Sequence, residues 1–86
     1  MNASEYARKV WERQLNAKIV EEIKYKDWSE PYEVDSAYIF KLDNGDYALV
    51  IERGCSCYDY SDAEIQTFDS KDDAIEEFNL ATGGRL

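Results

Sequence analysis

Eighty-six residues with 44% hydrophobic and 14% aromatic content make one small domain with its own core, so the net charge of −9 is laid over a globular protein and does not signal disorder. That charge argues against direct nucleic-acid binding. The absence of histidine removes the most versatile general base and the commonest metal ligand, and no apolar run approaches the ~20 residues of a membrane-spanning helix.

Ser4 can cap a helix, with Glu5 in the first turn where the helix dipole favours an acid. Ala7, Trp11, Leu15, Ile19 and Ile23 follow four residues apart, with Val10 and Val20 beside them, which predicts a helix over about 4–24. A strict four-residue spacing drifts around a 3.6-residue helix. Either the helix meets different elements along its length, or it stops near Asn16 and residues 17–25 form a strand with Ile19, Ile23 and Tyr25 on one side. Residues 27–35, with Pro31 and Ser29, read as a connecting loop. Trp28 and Tyr32 within it either cover the core or project as anchors for a partner.

Residues 37–42 and 47–53 are rich in β-formers and flank Asp43-Asn44-Gly45-Asp46. Asn-Gly predicts a two-residue hairpin loop with positive φ at both positions. That register sets Leu42 opposite Tyr47, Phe40 opposite Leu49 and Tyr38 opposite Ile51, all on one buried face. The other face pairs Lys41 with Ala48, Ile39 with Val50 and Ala37 with Glu52. Being half apolar, it is either partly covered or open to a partner. Residues 63–68 form a third strand. Ser70 caps a last helix with Asp73 at its third position. Ala74, Ile75, Phe78 and Ala81 share one face of this helix, Asp72, Asp73, Glu76 and Glu77 the other, and Gly83-Gly84 ends it. The order α-β-β-β-α predicts a single α+β domain, residues 1–86: a three-stranded antiparallel meander flanked by an N-terminal and a C-terminal helix.

Chemistry-bearing clusters are sparse. Cys55 and Cys57 are too close in sequence to bridge each other easily and read as reduced thiols of a cytoplasmic protein. They offer zinc only two ligands, and as nucleophiles they have no imidazole partner. Asp59, Asp62 and Glu64 do not match a calcium loop, and neither does 43–46. No phosphate loop or catalytic triad is present. The expectation is a non-enzymatic protein without metal or cofactor, its rival being a small metal- or thiol-dependent catalyst. No signal peptide is visible after Met1.

Charge is the remaining signal. Residues 1–26 hold six cations and four acids, a net of +2, while the rest of the chain holds four cations and fifteen acids, a net of −11. This asymmetry points to an electropositive partner, or to a homodimer that sets the basic part of one copy on the acidic part of another. Candidate partner-binding residues are Asp59, Asp62, Glu64, Asp72, Asp73, Glu76 and Glu77, with the aromatic anchors Trp28, Tyr32, Tyr58 and Tyr60. Rows of carboxylates either solvate a surface or imitate a phosphate backbone.

Ile51-Glu52-Arg53-Gly54-Cys55-Ser56-Cys57-Tyr58-Asp59-Tyr60, followed by Asp62-Ala63-Glu64-Ile65 and by Phe68-x-Ser70-x-x-Asp73-Ala74, resembles a pattern in small uncharacterised acidic bacteriophage proteins with a Cys-Ser-Cys-Tyr segment. It spans roughly the last 35 residues. The resemblance implies a phage origin and action in the host cytoplasm. By analogy with anti-CRISPR proteins and DNA mimics, it implies an inhibitor or modulator of a host nucleic-acid-handling complex, with a basic host protein or nucleoprotein as partner; it is the acidity and the lack of a long apolar run that argue against direct nucleic-acid contact and a membrane.

Overall fold

The computed structural model describes residues 1–55 and 58–83; Ser56, Cys57 and Gly84 to Leu86 lie outside the described residues, and with them half of the cysteine pair and of the Gly83-Gly84 stop. The elements are α1 (Glu5–Leu15), β1 (Ile19–Asp27), β2 (Glu33–Leu42), β3 (Tyr47–Cys55), a 3₁₀ turn (Tyr60–Asp62), β4 (Glu64–Phe68) and α2 (Lys71–Thr82). The four strands form one antiparallel meander in the order β1-β2-β3-β4. The fold is α+β as expected, but with four strands where three were predicted.

The extra strand comes from the predicted long helix. Ser4 caps α1 by accepting the Ala7 N–H, and the helix stops at Leu15 because Asn16 turns left-handed, with φ 54° and ψ 41°. Asn tolerates that region better than most residues. Beyond it, the β-branched Ile19, Val20 and Ile23 favour a strand. The Glu12 carboxylate accepts the Ile19 N–H at 2.7 Å and ties β1 to the helix it left. Two register shifts, between Ile19 and Glu21 and between Glu22 and Lys24, break the pairing of β1 with β2. They send Ile19 and Tyr25 to one side of the sheet and Ile23 to the other, so the three do not share a face.

Segment 27–35 is the turn of a hairpin and not a free connection. The Trp28 N–H donates to the Asp35 carbonyl, and Glu30 and Glu33 exchange both backbone hydrogen bonds around Pro31 and Tyr32. Pro31 suits the first loop position. Tyr32 fills the second with φ 70°, a conformation that a bulky residue resists.

The β2–β3 register is one residue away from the expected one. Lys41 pairs with Tyr47, Phe40 with Ala48, Ile39 with Leu49 and Tyr38 with Val50. The loop has three residues: the Gly45 N–H donates to the Leu42 carbonyl, the Leu42 N–H to the Asp46 carbonyl, and positive φ falls on Gly45 alone, at +91°. The Asn44 side chain accepts the Asp46 N–H instead of adopting the second positive φ. A one-residue slip exchanges partners across the sheet. Tyr38, Phe40 and Leu42 therefore share a face with Ala48 and Val50, whereas Ala37 and Ile39 share theirs with Tyr47, Leu49 and Ile51. Phe40 and Leu49 are both fully buried, but on opposite faces.

Each face has its own helix. On one, the fully buried Trp11 of α1 packs against Tyr38, Phe40 and Tyr60 at ring distances of 5.4, 5.8 and 6.0 Å. Its indole N–H donates to the Tyr60 carbonyl. On the other, Ala74 and Phe78 of α2 cover Ala37, Ile39, Leu49 and Ile51, with Ile75 and Ala81 at the margin. The face expected to be half open is thus closed by α2.

Gly45→Val tests the loop. A Cβ at Gly45 meets nothing within 4 Å, so the penalty is backbone strain alone. Denaturant unfolding should show a loss of more than ~1 kcal/mol, and Gly45→Asn should lose less.

Candidate binding surfaces and the Glu52 cavity

The residues singled out in the sequence fall on both sides of the sheet. Asp72, Asp73 and Glu76 are exposed on α2 and Glu77 is half-buried. Among the described residues none of the four joins an ion pair; the pair that forms is Lys9–Glu5 on α1. Glu64 is exposed, and strand alternation puts it on the α2 side with Phe68. Trp28 is half-buried against that same cluster and covers core. Tyr32 is 84% exposed at its hairpin tip.

Asp59, Asp62, Tyr58 and Tyr60 belong to the α1 side. Asp59 and Asp62 cap the 3₁₀ turn reciprocally: the Asp59 carboxylate accepts the Ser61 N–H, and the Asp62 carboxylate accepts the Asp59 N–H. Hydrogen bonds from the Ser61 backbone and hydroxyl hold Asp59 below the usual carboxylate range. These two acids have a local structural task. Tyr60 packs edge-on to Trp11 and to Tyr58.

Sequence reading missed Glu52. The expected register placed it opposite Ala37 on a half-open face. In the structure it lies across from Ser36 and is only 3% exposed. Ser36 Oγ donates to Oε1 at 2.8 Å and the Tyr58 hydroxyl donates to Oε2 at 2.7 Å. Gly54 permits this closure: a Cβ there would stand 2.9 Å from Tyr58 Cβ. The Tyr58 N–H donates to the Cys55 carbonyl. One signal was available, an acid directly ending the apolar run Ala48–Ile51, but it indicates burial only once the register is known.

Tyr38, Glu52, Tyr58 and Tyr60 line a cavity of about 420 Å³, with Asp27 and Ser29 on the same wall and the start of α1 at its rim. Burial raises the Tyr38 and Tyr58 phenols far above the ordinary tyrosine range, and the Glu52 carboxylate raises both further. Tyr25, whose hydroxyl donates to Asp27, is also raised, first by burial and then by that bond. Asp27 is lowered by hydrogen bonds from the Ser29 side chain and backbone. Every buried side-chain N or O atom among the described residues has a hydrogen-bond partner. A second, shallower groove of about 530 Å³ lies at the end of α1, with Lys9, Arg13 and Lys18 facing Glu12 and Asp43.

Comparison with protein-family models, curated proteins and solved structures finds no match for this chain. Among the described residues no group of three or more His, Cys, Asp or Glu side chains could hold a metal ion, and no helix is long and apolar enough to cross a membrane.

The tyrosines give a pH test. Tyr25, Tyr38 and Tyr58 have raised folded-state values, so their contribution to stability is complete below the unfolded value near 10 and falls as pH rises past it. In an alkaline titration the phenolate signal of Tyr25, Tyr38 and Tyr58 should appear with unfolding. Glu52→Gln should bring Tyr38 and Tyr58 only part of the way back, because burial is the larger cause. Ionisation of Tyr38 and Tyr58 in the ordinary tyrosine range in folded protein would contradict the burial of this cluster.

Proposed function

We propose that the chain is a non-catalytic binding protein that docks an electropositive surface through the outer face of α2, and that its partner is a host nucleic-acid-handling complex inhibited or modulated in the manner of a phage-encoded anti-CRISPR protein or DNA mimic. One observation carries this reading: Asp72, Asp73, Glu76 and Glu77 stand together on α2 with no cation paired to them among the described residues. Asp72/Glu76 and Asp73/Glu77 are like-charge pairs one turn apart, each destabilising by a few tenths of a kcal/mol. The helix N-terminus offsets part of this for Asp72 and Asp73 but not for Glu76 and Glu77. A partner that supplies Lys or Arg would relieve all four, and the attraction would speed encounter.

Reversing all four to Lys should leave the fold intact, since it exchanges one set of like-charge pairs for another. Host proteins captured by the parent chain in nuclease-treated lysate should then be lost, and parental capture should weaken as salt shortens the screening length to about 8 Å. A reversed variant that captures the same proteins equally well would leave the acids as solvation.

Tyr32 adds a contact point of another kind. An exposed aromatic held at φ 70° is strained without any gain in packing, which favours a role in contact with a partner. Tyr32→Gly should stabilise the free chain by up to about 1 kcal/mol while weakening capture. A variant that is both more stable and equally competent would remove Tyr32 from the interface.

Self-association is the second reading. It is favoured by the position of Lys9 and Arg13 on α1, across the sheet from the acids of α2. Contact between unlike faces extends beyond a dimer unless it closes. Elution size that falls with rising salt in pure protein would select this reading over a host partner.

A further inference from the structure

We infer that the Glu52 cavity is a binding site for an organic cation with an alkylammonium head. This lies on the α1 side of the sheet and does not depend on the α2 surface. The first reason is an uncompensated charge. Glu52 is 3% exposed and receives hydroxyl hydrogen bonds, yet among the described residues no Lys or Arg nitrogen comes within 4 Å of it. Hydrogen bonds from neutral hydroxyls satisfy the oxygens but leave the charge, and a buried carboxylate without a countercharge is costly.

The second reason is the wall. Asp27 is the other charged residue on it, and among the described residues no cation lines the cavity. Three tyrosine rings complete it. The Tyr58 hydroxyl is committed to Glu52, and the Tyr58 and Tyr60 rings meet edge to face at 90°. Aromatic rings beside a carboxylate suit an ammonium group better than an anion. The rim could have favoured an anion, because α1 begins there, but three amides at that end are engaged. The Ala7 N–H goes to Ser4 Oγ, and those of Asn2 and Ala3 go to the Glu22 carboxylate.

The third reason is size and rigidity. About 420 Å³ is at the small end of the usual range for small-molecule sites. The wall is held in place from behind by the Trp11–Tyr60 hydrogen bond, the Asp59–Asp62 cap and the close approach of Tyr58 to Gly54, so little ordering is needed on binding.

The ammonium head could belong to a free small amine or to a lysine side chain of a peptide, and the test separates them. The full chain is titrated with choline, butylamine and an Nα-acetylated lysine amide, and with 3,3-dimethylbutan-1-ol, the neutral isostere of choline, while the ring-proton NMR signals of Tyr38, Tyr58 and Tyr60 are followed. At least one cation should shift these signals saturably, and the neutral alcohol should bind about tenfold more weakly or worse. Preference for choline or butylamine assigns the free amine, and preference for the lysine amide assigns the side chain. Glu52→Gln should weaken the cation by about tenfold or more and leave the alcohol unchanged; should that variant not fold, the cation–alcohol comparison on the parent still decides. The four-Lys α2 variant should bind the cation as the parent does, which separates this site from the surface proposed above. Equal binding of cation and alcohol, or no response up to about 50 mM of every cation, overturns the proposal.

Discussion

Burial of both faces of the central strand pair is the constraint on which the molecule is organised. From Ala37 to Leu42 and from Ala48 to Ile51, every side chain except Lys41 is enclosed, whichever way it points. Such strands cannot leave one face to water, as an antiparallel sheet commonly does. The chain must cover both sides, and with so few residues it does so with one helix on each. The helices meet the task differently. α1 relies on one large residue, Trp11, wedged among aromatic rings, while α2 lays the small Ala74 beside Phe78 on an aliphatic floor. Removing Trp11 would empty the middle of a layer, at a typical loss of ~3–5 kcal/mol.

Cover runs out where the strands outlast the helices. At the Ser36–Glu52 step the α1-side layer changes from apolar packing to a hydrogen-bonded group of hydroxyls around one carboxylate. Such a network is stable when complete and costly when broken. Its completion depends on Tyr58, which Gly54 admits and which the 3₁₀ turn holds beside Tyr60. A glycine, a turn and an acid far apart in chemical character thus act on one cavity.

Local chemistry was legible in the sequence and long-range chemistry was not. Ser4 and Ser70 cap the helices they were expected to cap, and of the apolar stripe of α2, Ala74 and Phe78 are buried with Ile75 and Ala81 at the margin. The early end of α1 rests on a left-handed Asn16, which is one tolerated conformation among several and competes with an apolar spacing that also suits a helix. The β2–β3 register was misjudged for a related reason. Alternation fixes register only when one face is wet, and here both faces are apolar, so the decision passed to a loop in which Asn44 caps through its side chain. Once the register slipped, Glu52 moved from a half-open face to an enclosed one, and with it the cavity disappeared from view. The acidic face of α2 was visible because a helix wheel needs no partner element to be drawn.

The two outer strands have a consequence for how this protein meets others. β1 is interrupted twice in its pairing and carries Glu21, Lys24 and Lys26, while β4 has only five residues. Irregular, charged or short borders are poor templates for an incoming chain, which needs a straight row of free amides and carbonyls. Backbone-driven growth into fibrils or swapped sheets is therefore disfavoured at both borders. An association that forms through side chains instead would respond to ionic strength through their charges and be adjustable by its surroundings.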